Sequence, residues 1–383
     1  MKSLKRGSRL ITLMISVFII GMIVLIAKIQ MEASFYISNS GSRNLGYIYD
    51  RNGDIIFDDN AENGQYPDGY FKDLGNLIGD ASGQMTNTLV AKNLEKLSNY
   101  SFTSGITYKG GKAAIYSTLS HEANEAVYSA FGDKDGCAIA YNYKTGEILV
   151  CVSRPSVDPL KGYEDLAEGS LLCKAFYKTV PGSTQKIATL ISAVETMGMD
   201  ALMEKSFTCN GVYTNNTGLD IVCHNEYGHG TQNIREAFAN SCNPFFAQLV
   251  EDSGWSLSDI EDCYKKLGYS VNGSEETEIS IDGIISSKAS TTLEDKNEFN
   301  TQWSCIGQGT SLVSPCQLMM WQSAIANESG KSTMPYLIDH VTNVNGRTVE
   351  NASTNYSEQL FSSQTASEVK DIMLENGLNY TGK

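Results

Sequence analysis

Positive charge is what this chain lacks. Only 29 Lys and Arg stand against 44 acidic residues, a net charge of −15 over 383 residues, whereas a nucleic-acid surface needs clustered cations to meet phosphates. That excludes a nucleic-acid partner and predicts an acidic exterior in water. Internal repeats and low-complexity tracts are absent too, and a hydrophobic content of 41% suits globular structure rather than disorder. The length accommodates one large domain and a smaller one.

Charge is also missing from residues 10–27, a run that Lys2, Lys5, Arg6 and Arg9 precede. It is near the lower length limit for a helix that crosses a bilayer, and the basic flank predicts a cytoplasmic N-terminus with the rest outside. A cleaved signal peptide is the alternative. The run is longer than a typical signal core and no small-x-small cleavage site follows, so an uncleaved anchor over 10–30, after a cytoplasmic tail over 1–9, is the reading adopted.

Residues 31–106 are polar and rich in Asn, Gly and Tyr, and read as a small membrane-proximal module. Asp50-Arg51-Asn52-Gly53 marks a turn between Tyr47-Ile48-Tyr49 and Ile55-Ile56-Phe57, predicting a hairpin. Lys109-Gly110-Gly111 gives a boundary, and 107–383 reads as the main domain. There a strand over 114–119, a helix over 121–131 and two strands joined by a short turn at 142–146 are expected, the last two antiparallel. A single helix is predicted over 234–250. Strands and helices mix without strict alternation, which favours α+β.

The chemistry begins at Pro181-Gly182-Ser183-Thr184-Gln185-Lys186. Ile187, Leu190, Ile191 and Val194 follow at helical spacing, so Ser183 sits where a buried helix starts and Lys186 comes up one turn on. An amine made neutral by burial can take a serine's proton. Ser-x-x-Lys is short, however, and recurs at Ser367-Glu368-Val369-Lys370 in a charged helix that reads as surface.

Partners at family spacing distinguish the two. Ser183-Thr184-Gln185-Lys186 in its Pro-Gly context, Ser241-Cys242-Asn243, Tyr141-Asn142-Tyr143-Lys144-Thr145-Gly146, Arg154-Pro155-Ser156-Val157-Asp158-Pro159 and Ile306-Gly307-Gln308-Gly309 together resemble the class B, membrane-anchored penicillin-binding transpeptidases. Asp50-Arg51-Asn52-Gly53 is similar to their membrane-proximal signature. The resemblance implies a penicillin-binding/serine β-lactamase-like α+β fold, an antiparallel sheet with a helical subdomain. It implies that Ser183 is acylated by peptidoglycan stem peptides and by β-lactams. Lys186 would activate it, Ser241 relay protons, and Asn243 hold substrate amides and Lys186. No cofactor is required for such catalysis, and a glycan polymerase is an implied partner. A β-lactamase or β-lactam sensor, and a non-catalytic scaffold of the wall-synthesis machinery, are the competing readings.

The family's third motif, Lys-Thr-Gly, does not follow Ser183. Its one occurrence, Lys144-Thr145-Gly146, precedes the nucleophile in a hairpin turn, and the sequence ends Tyr380-Thr381-Gly382-Lys383. In relatives that strand supplies a cation for the substrate carboxylate and one of two oxyanion donors, a loss on the order of 10²–10³ in rate. Impaired activity and missing last strands are therefore expected. A fragment of a longer chain, a split protein and a pseudo-enzyme would each account for this, and the intact upstream motifs favour the fragment.

Nine cysteines remain to be placed. Cys209, Cys223, His229 and Cys242 make a Cys₃His set of the kind structural zinc prefers, and the order of ligands is similar to that in zinc-bearing relatives. A Cys209–Cys223 disulfide, or plain buried thiols, are the alternatives. His224 is expected to point elsewhere. Cys137, Cys151, Cys173, Cys263, Cys305 and Cys316 read as small core residues, and Trp303 and Trp321 as packing groups.

Overall fold

The computed structural model describes residues 2–31, 45–58, 72–80, 82–98, 100–101, 105–106, 111–157 and 162–379. Much of the 31–106 module, the boundary at Lys109 and Gly110, Asp158-Pro159 and the final Tyr380-Thr381-Gly382-Lys383 lie outside the described residues.

The N-terminal helix runs Lys2–Met31, and Ile11–Ile29 within it has a mean hydropathy of 2.5. Thirty residues span about 45 Å at 1.5 Å per residue, more than the ~30 Å of a hydrocarbon core. Its large apolar side chains, Phe18 and Val24 among them, are exposed.

The chain divides into two compact units. The first comprises 1–117, 156–166 and 338–352, and so draws on late sequence as well as early. Its five-stranded sheet has the order Thr348–Asn351, Ile338–Thr342, Ala114–Ser117, Tyr47–Tyr49, Ile55–Asp58. The predicted hairpin is present, with Ile48 opposite Phe57, and Asp50 Oδ1 accepts from the amides of Asn52 and Asp54 to close its turn. Alternation along the strands buries Ile48, Ile115 and Val341 on one face, while Tyr49, Tyr116 and His340 stack in a row on the other.

The second unit comprises 118–155, 167–337 and 353–383. Strands Gly136–Tyr141 and Ile148–Arg154 pair antiparallel through the predicted turn, where Gly146 at φ +94° supplies the left-handed residue. Lys144-Thr145-Gly146 is thus a turn in the structure too. Among the described residues these strands form a sheet of two. Helix His121–Ala130 backs them, its Asn124 bridging Leu149 O and the amide of Cys151.

The helical part surrounds Lys186–Met197, whose Leu190, Ile191 and Val194 are buried. Helices Leu257–Lys266, Phe299–Ile306 and Ser363–Asn379 pack on it. Trp321 is fully buried and donates to Leu267 O, while Trp303 packs against the core and Phe299, so both are packing groups. The single helix expected over 234–250 is instead two, Ile234–Ala239 and Asn243–Glu251. Ser241 at φ +49° breaks it, because one left-handed residue cannot continue a right-handed ladder.

Gly307 ends the Phe299–Ile306 helix at φ +100°, and its carbonyl accepts from the Gly182 amide at 2.9 Å. A Cβ there would fall 1.7 Å from Gly182 O. Gly307→Ala therefore meets a left-handed penalty of about 1–2 kcal/mol and a backbone collision. Chemical denaturation is expected to show a loss of at least about 2 kcal/mol; unchanged stability would mean that this approach is not made.

Candidate active site

Residues Gly182–Gln185 form a turn of 3₁₀ helix that runs into the α-helix beginning at Lys186. In a 3₁₀ turn, side chains three apart eclipse, which places Lys186 directly behind Ser183. Ser183 is exposed and Lys186 is 1% exposed. Ser183 thus faces solvent while Lys186 behind it is buried.

Gln185, between them, fixes the turn from below. Its amide donates to Tyr264 OH at 3.1 Å and accepts from Tyr269 OH, and Tyr264 bonds Thr189 at 2.8 Å. The two tyrosine rings stack at 4.8 Å, and Tyr269 stacks on Trp321. Sequence reasoning missed this clamp, since nothing local links Gln185 to residues some eighty positions away.

Lys186 Nζ lies 2.9 Å from Ser183 Oγ, 2.9 Å from Ser241 O, 3.0 Å from Ser241 Oγ and 2.7 Å from Asn243 Oδ1. Asn243 donates its amide to Val222 O at 3.0 Å, which turns its oxygen toward the amine. The helix break brings Ser241 in: at φ +49° both its carbonyl and its hydroxyl point at Lys186. All four predicted catalytic residues are therefore brought together. Ser367 and Lys370 are not part of the site, and Lys370 pairs with Glu328.

Two of the four acceptors around Nζ, Ser241 O and Asn243 Oδ1, have no proton to give. A neutral amine has two N–H groups and one lone pair, so satisfying both carbonyl oxygens leaves the lone pair for a hydroxyl. Burial lowers the Lys186 pKa from its usual 10.5 to about 8, because the charged form loses hydration. The arrangement can withdraw a proton from Ser183 Oγ, a nucleophile–base pair suited to acyl transfer.

The predicted metal set is also brought together. Cys209 ends strand Phe207–Cys209, Cys223 follows Asp220–Val222, His229 precedes Gly230–Gln232, and Cys242 caps the Asn243–Glu251 helix. Their ligand atoms lie within 4.8 Å of one another, and Cys223 Sγ is 3.5 Å from His229 Nδ1. Zn–S bonds of about 2.3 Å place tetrahedral ligand atoms roughly 3.5–3.8 Å apart, so the set fits a small inward contraction. All nine cysteines are free thiols, Cys209 and Cys223 included. Burial raises the pKa of the Cys223 thiol and pushes that of Cys242 up to about 12; a bound cation would favour the thiolates. His224 stays beside the cluster, its Nδ1 3.9 Å from Cys223 Sγ.

The penicillin binding protein transpeptidase domain family matches residues 136–383. This chain belongs to that family. Among curated relatives, this transpeptidase-family chain is 31% identical over 241 residues to stage V sporulation protein D of Bacillus subtilis, covering 61% of this chain and 35% of that protein. It is 26% identical over 294 residues to the peptidoglycan D,D-transpeptidase PbpA of Mycolicibacterium smegmatis, covering 71% and 57%. The chain thus spans about a third to somewhat over half the length of these relatives. Among solved structures, PBPA from Mycobacterium tuberculosis superposes with a TM-score of 0.73 at 18% identity, over 88% of this chain and 83% of that one. The same fold has been solved in that protein's imipenem and penicillin G acyl-enzyme complexes. The chain's fold is that of the penicillin-binding transpeptidases.

Asn243→Ala removes the tie between Lys186 and Val222 O while sparing Ser183. Acylation by a fluorescent penicillin is expected to slow by on the order of 10², the scale of general-base assistance, with circular dichroism unchanged. An unaltered rate would remove Asn243 from the base's support.

Proposed function

We propose that this chain is a D,D-transpeptidase of the class B kind, which cross-links peptidoglycan stem peptides through an acyl-serine at Ser183. The observation that carries the reading is the 2.9 Å contact between Lys186 Nζ and Ser183 Oγ, with Nζ also held by two carbonyl oxygens that can only accept. Lys186 takes the Oγ proton as Ser183 attacks the carbonyl between two terminal D-alanines. The C–N bond then breaks, and the departing amine receives its proton through Ser241 and Lys186. An amino group of a second stem peptide attacks the acyl carbon, the ester bond to Ser183 Oγ breaks as the new amide forms, and the proton lost by that amine passes to Oγ. A β-lactam enters the first half of this cycle and stops there.

The 10–30 segment is the anchor, with residues 1–9 cytoplasmic and the site outside the membrane. Residues 31–106 are the membrane-proximal module and 107–383 the transpeptidase domain, of which 338–352 fall in the same compact unit as the module, and a glycan polymerase supplying uncross-linked strands is the partner this reaction calls for. A zinc ion held by Cys209, Cys223, His229 and Cys242 would act structurally, as a rigid cross-link. Cys242 separates Ser241 from Asn243, so fixing its position fixes the two groups that hold Lys186.

Three measurements test these assignments. Fluorescent penicillin should label the chain, and Ser183→Ala should abolish labelling; a folded chain that stays unlabelled even when extended by a Lys-Thr-Gly strand defeats the reading, and rapid loss of label identifies a β-lactamase instead. The acylation rate should rise with pH and level off above about 8, because the neutral amine accumulates as Lys186 deprotonates; a rate that falls over this range contradicts that role. Elemental analysis should give one zinc per chain, lost in Cys209→Ser. Metal-free protein in which Cys209 is disulfide-bonded to Cys223 removes the zinc assignment.

A further inference from the structure

A second group of thiols lies apart from the Cys₃His cluster. Cys151, in strand Ile148–Arg154, and Cys173, before the Lys174–Phe176 turn, have their Sγ atoms 3.5 Å apart, and their side chains are 1% and 3% exposed. Their backbones are fixed by bonds that do not involve sulfur. The Cys151 amide donates to Asn124 Oδ1 at 2.9 Å, and the Lys174 amide to Ser153 Oγ at 2.9 Å. The thiols therefore face each other because the strand and the turn are held side by side. A disulfide needs the sulfurs at about 2.05 Å, a closure of roughly 1.5 Å that small side-chain rotations can supply.

The surroundings suit a structural bridge rather than a reactive thiol. The sulfur of Cys173 beside it, then burial, hold the Cys151 thiol protonated, whereas reactive cysteines sit in exposed, electropositive places. Cys137 is half-buried on the neighbouring strand, and Cys316 is buried with its pKa pushed up to about 12 by desolvation. The 3.5 Å separation singles out Cys151 and Cys173 as the pair.

We propose that Cys151 and Cys173 form a disulfide when the chain folds in an oxidising compartment, stapling the hairpin to the segment that leads into the nucleophile turn. The compartment rests on the anchored, outward-facing reading above. One thiolate attacks a sulfur of an external disulfide, whether of a small molecule or of an oxidoreductase, and releases its first thiol. The second thiolate displaces the remaining half and releases the other. The chain loses two electrons and two protons, and the external disulfide becomes two thiols. From Cys173 the chain passes to Thr179, which pairs with Val313, and to Gly182, held by Gly307. The bridge thus fixes the upstream end of the strand of chain that carries Ser183.

The test uses the full chain in detergent, equilibrated with oxidised and reduced glutathione, capped with N-ethylmaleimide, denatured and digested with trypsin without reduction. Cleavage after Lys144, Lys161 and Lys174 puts Cys151 and Cys173 on different peptides, 145–161 and 162–174, and Cys137 on a third. Mass spectrometry is expected to find 145–161 joined to 162–174, and dithiothreitol to separate them. Recovery of both peptides unlinked and maleimide-capped, or of Cys173 joined to Cys137, overturns the proposal. Glutathione supplies the oxidant in the tube, and penicillin labelling of Ser183 is read on the same sample. A failed transpeptidase or topology reading therefore leaves the peptide result intact, and the wild-type chain suffices without a variant.

Discussion

At Ser183 everything depends on a lysine amine buried among four oxygens, two of which can only accept. Protonated, Lys186 would have three hydrogens to share among Ser183, both oxygens of Ser241 and Asn243. Neutral, it gives two to the carbonyls and turns its lone pair to a hydroxyl. Burial favours the second state by denying the ammonium its water. The contacts thus hold the amine in place, and burial brings its deprotonation down to about 8.

The surrounding fold keeps this geometry from several directions. The Gln185–Tyr264–Tyr269 clamp fixes the 3₁₀ turn from the interior, and the Gly182–Gly307 bond fixes its outer edge. Across the cleft, the left-handed Ser241 turns its carbonyl inward, and the Val222 carbonyl sets the orientation of Asn243. Val222 is immediately followed by Cys223, and Ser241 and Asn243 flank Cys242, so the thiol cluster and the base's support share backbone. Strain at Ser241 is tolerated because both neighbouring helices are packed into the core.

Some of this was legible in the sequence for definite reasons. Ser183 and Lys186 are three apart before an apolar helical period, and the turn at Asp50-Arg51-Asn52-Gly53 carries its own chemistry. The four-member thiol and imidazole set was visible through residue type and family likeness. The break at Ser241 was not, because the apolar pattern over 234–250 continues through it and a positive φ at serine leaves no local sign. The strand Ile338–Thr342, which joins a sheet begun at Tyr47, was missed because its pairing with Ala114–Ser117, more than two hundred residues earlier, depends on tertiary packing. The approach of Cys151 to Cys173 was hidden for the same reason: each reads alone as a small core residue.

Burial brings Lys186 to deprotonation near pH 8, so that a neutral amine is available to take the Ser183 proton. Nuclear magnetic resonance of the full chain carrying ¹⁵N at lysine Nζ measures this directly, with Lys186→Arg identifying the resonance. One amine is expected to titrate near 8 and to be missing from the variant. If every lysine, Lys186 included, titrates only above about pH 10, burial does not bring the amine to deprotonation near 8 and Lys186 does not act as the base.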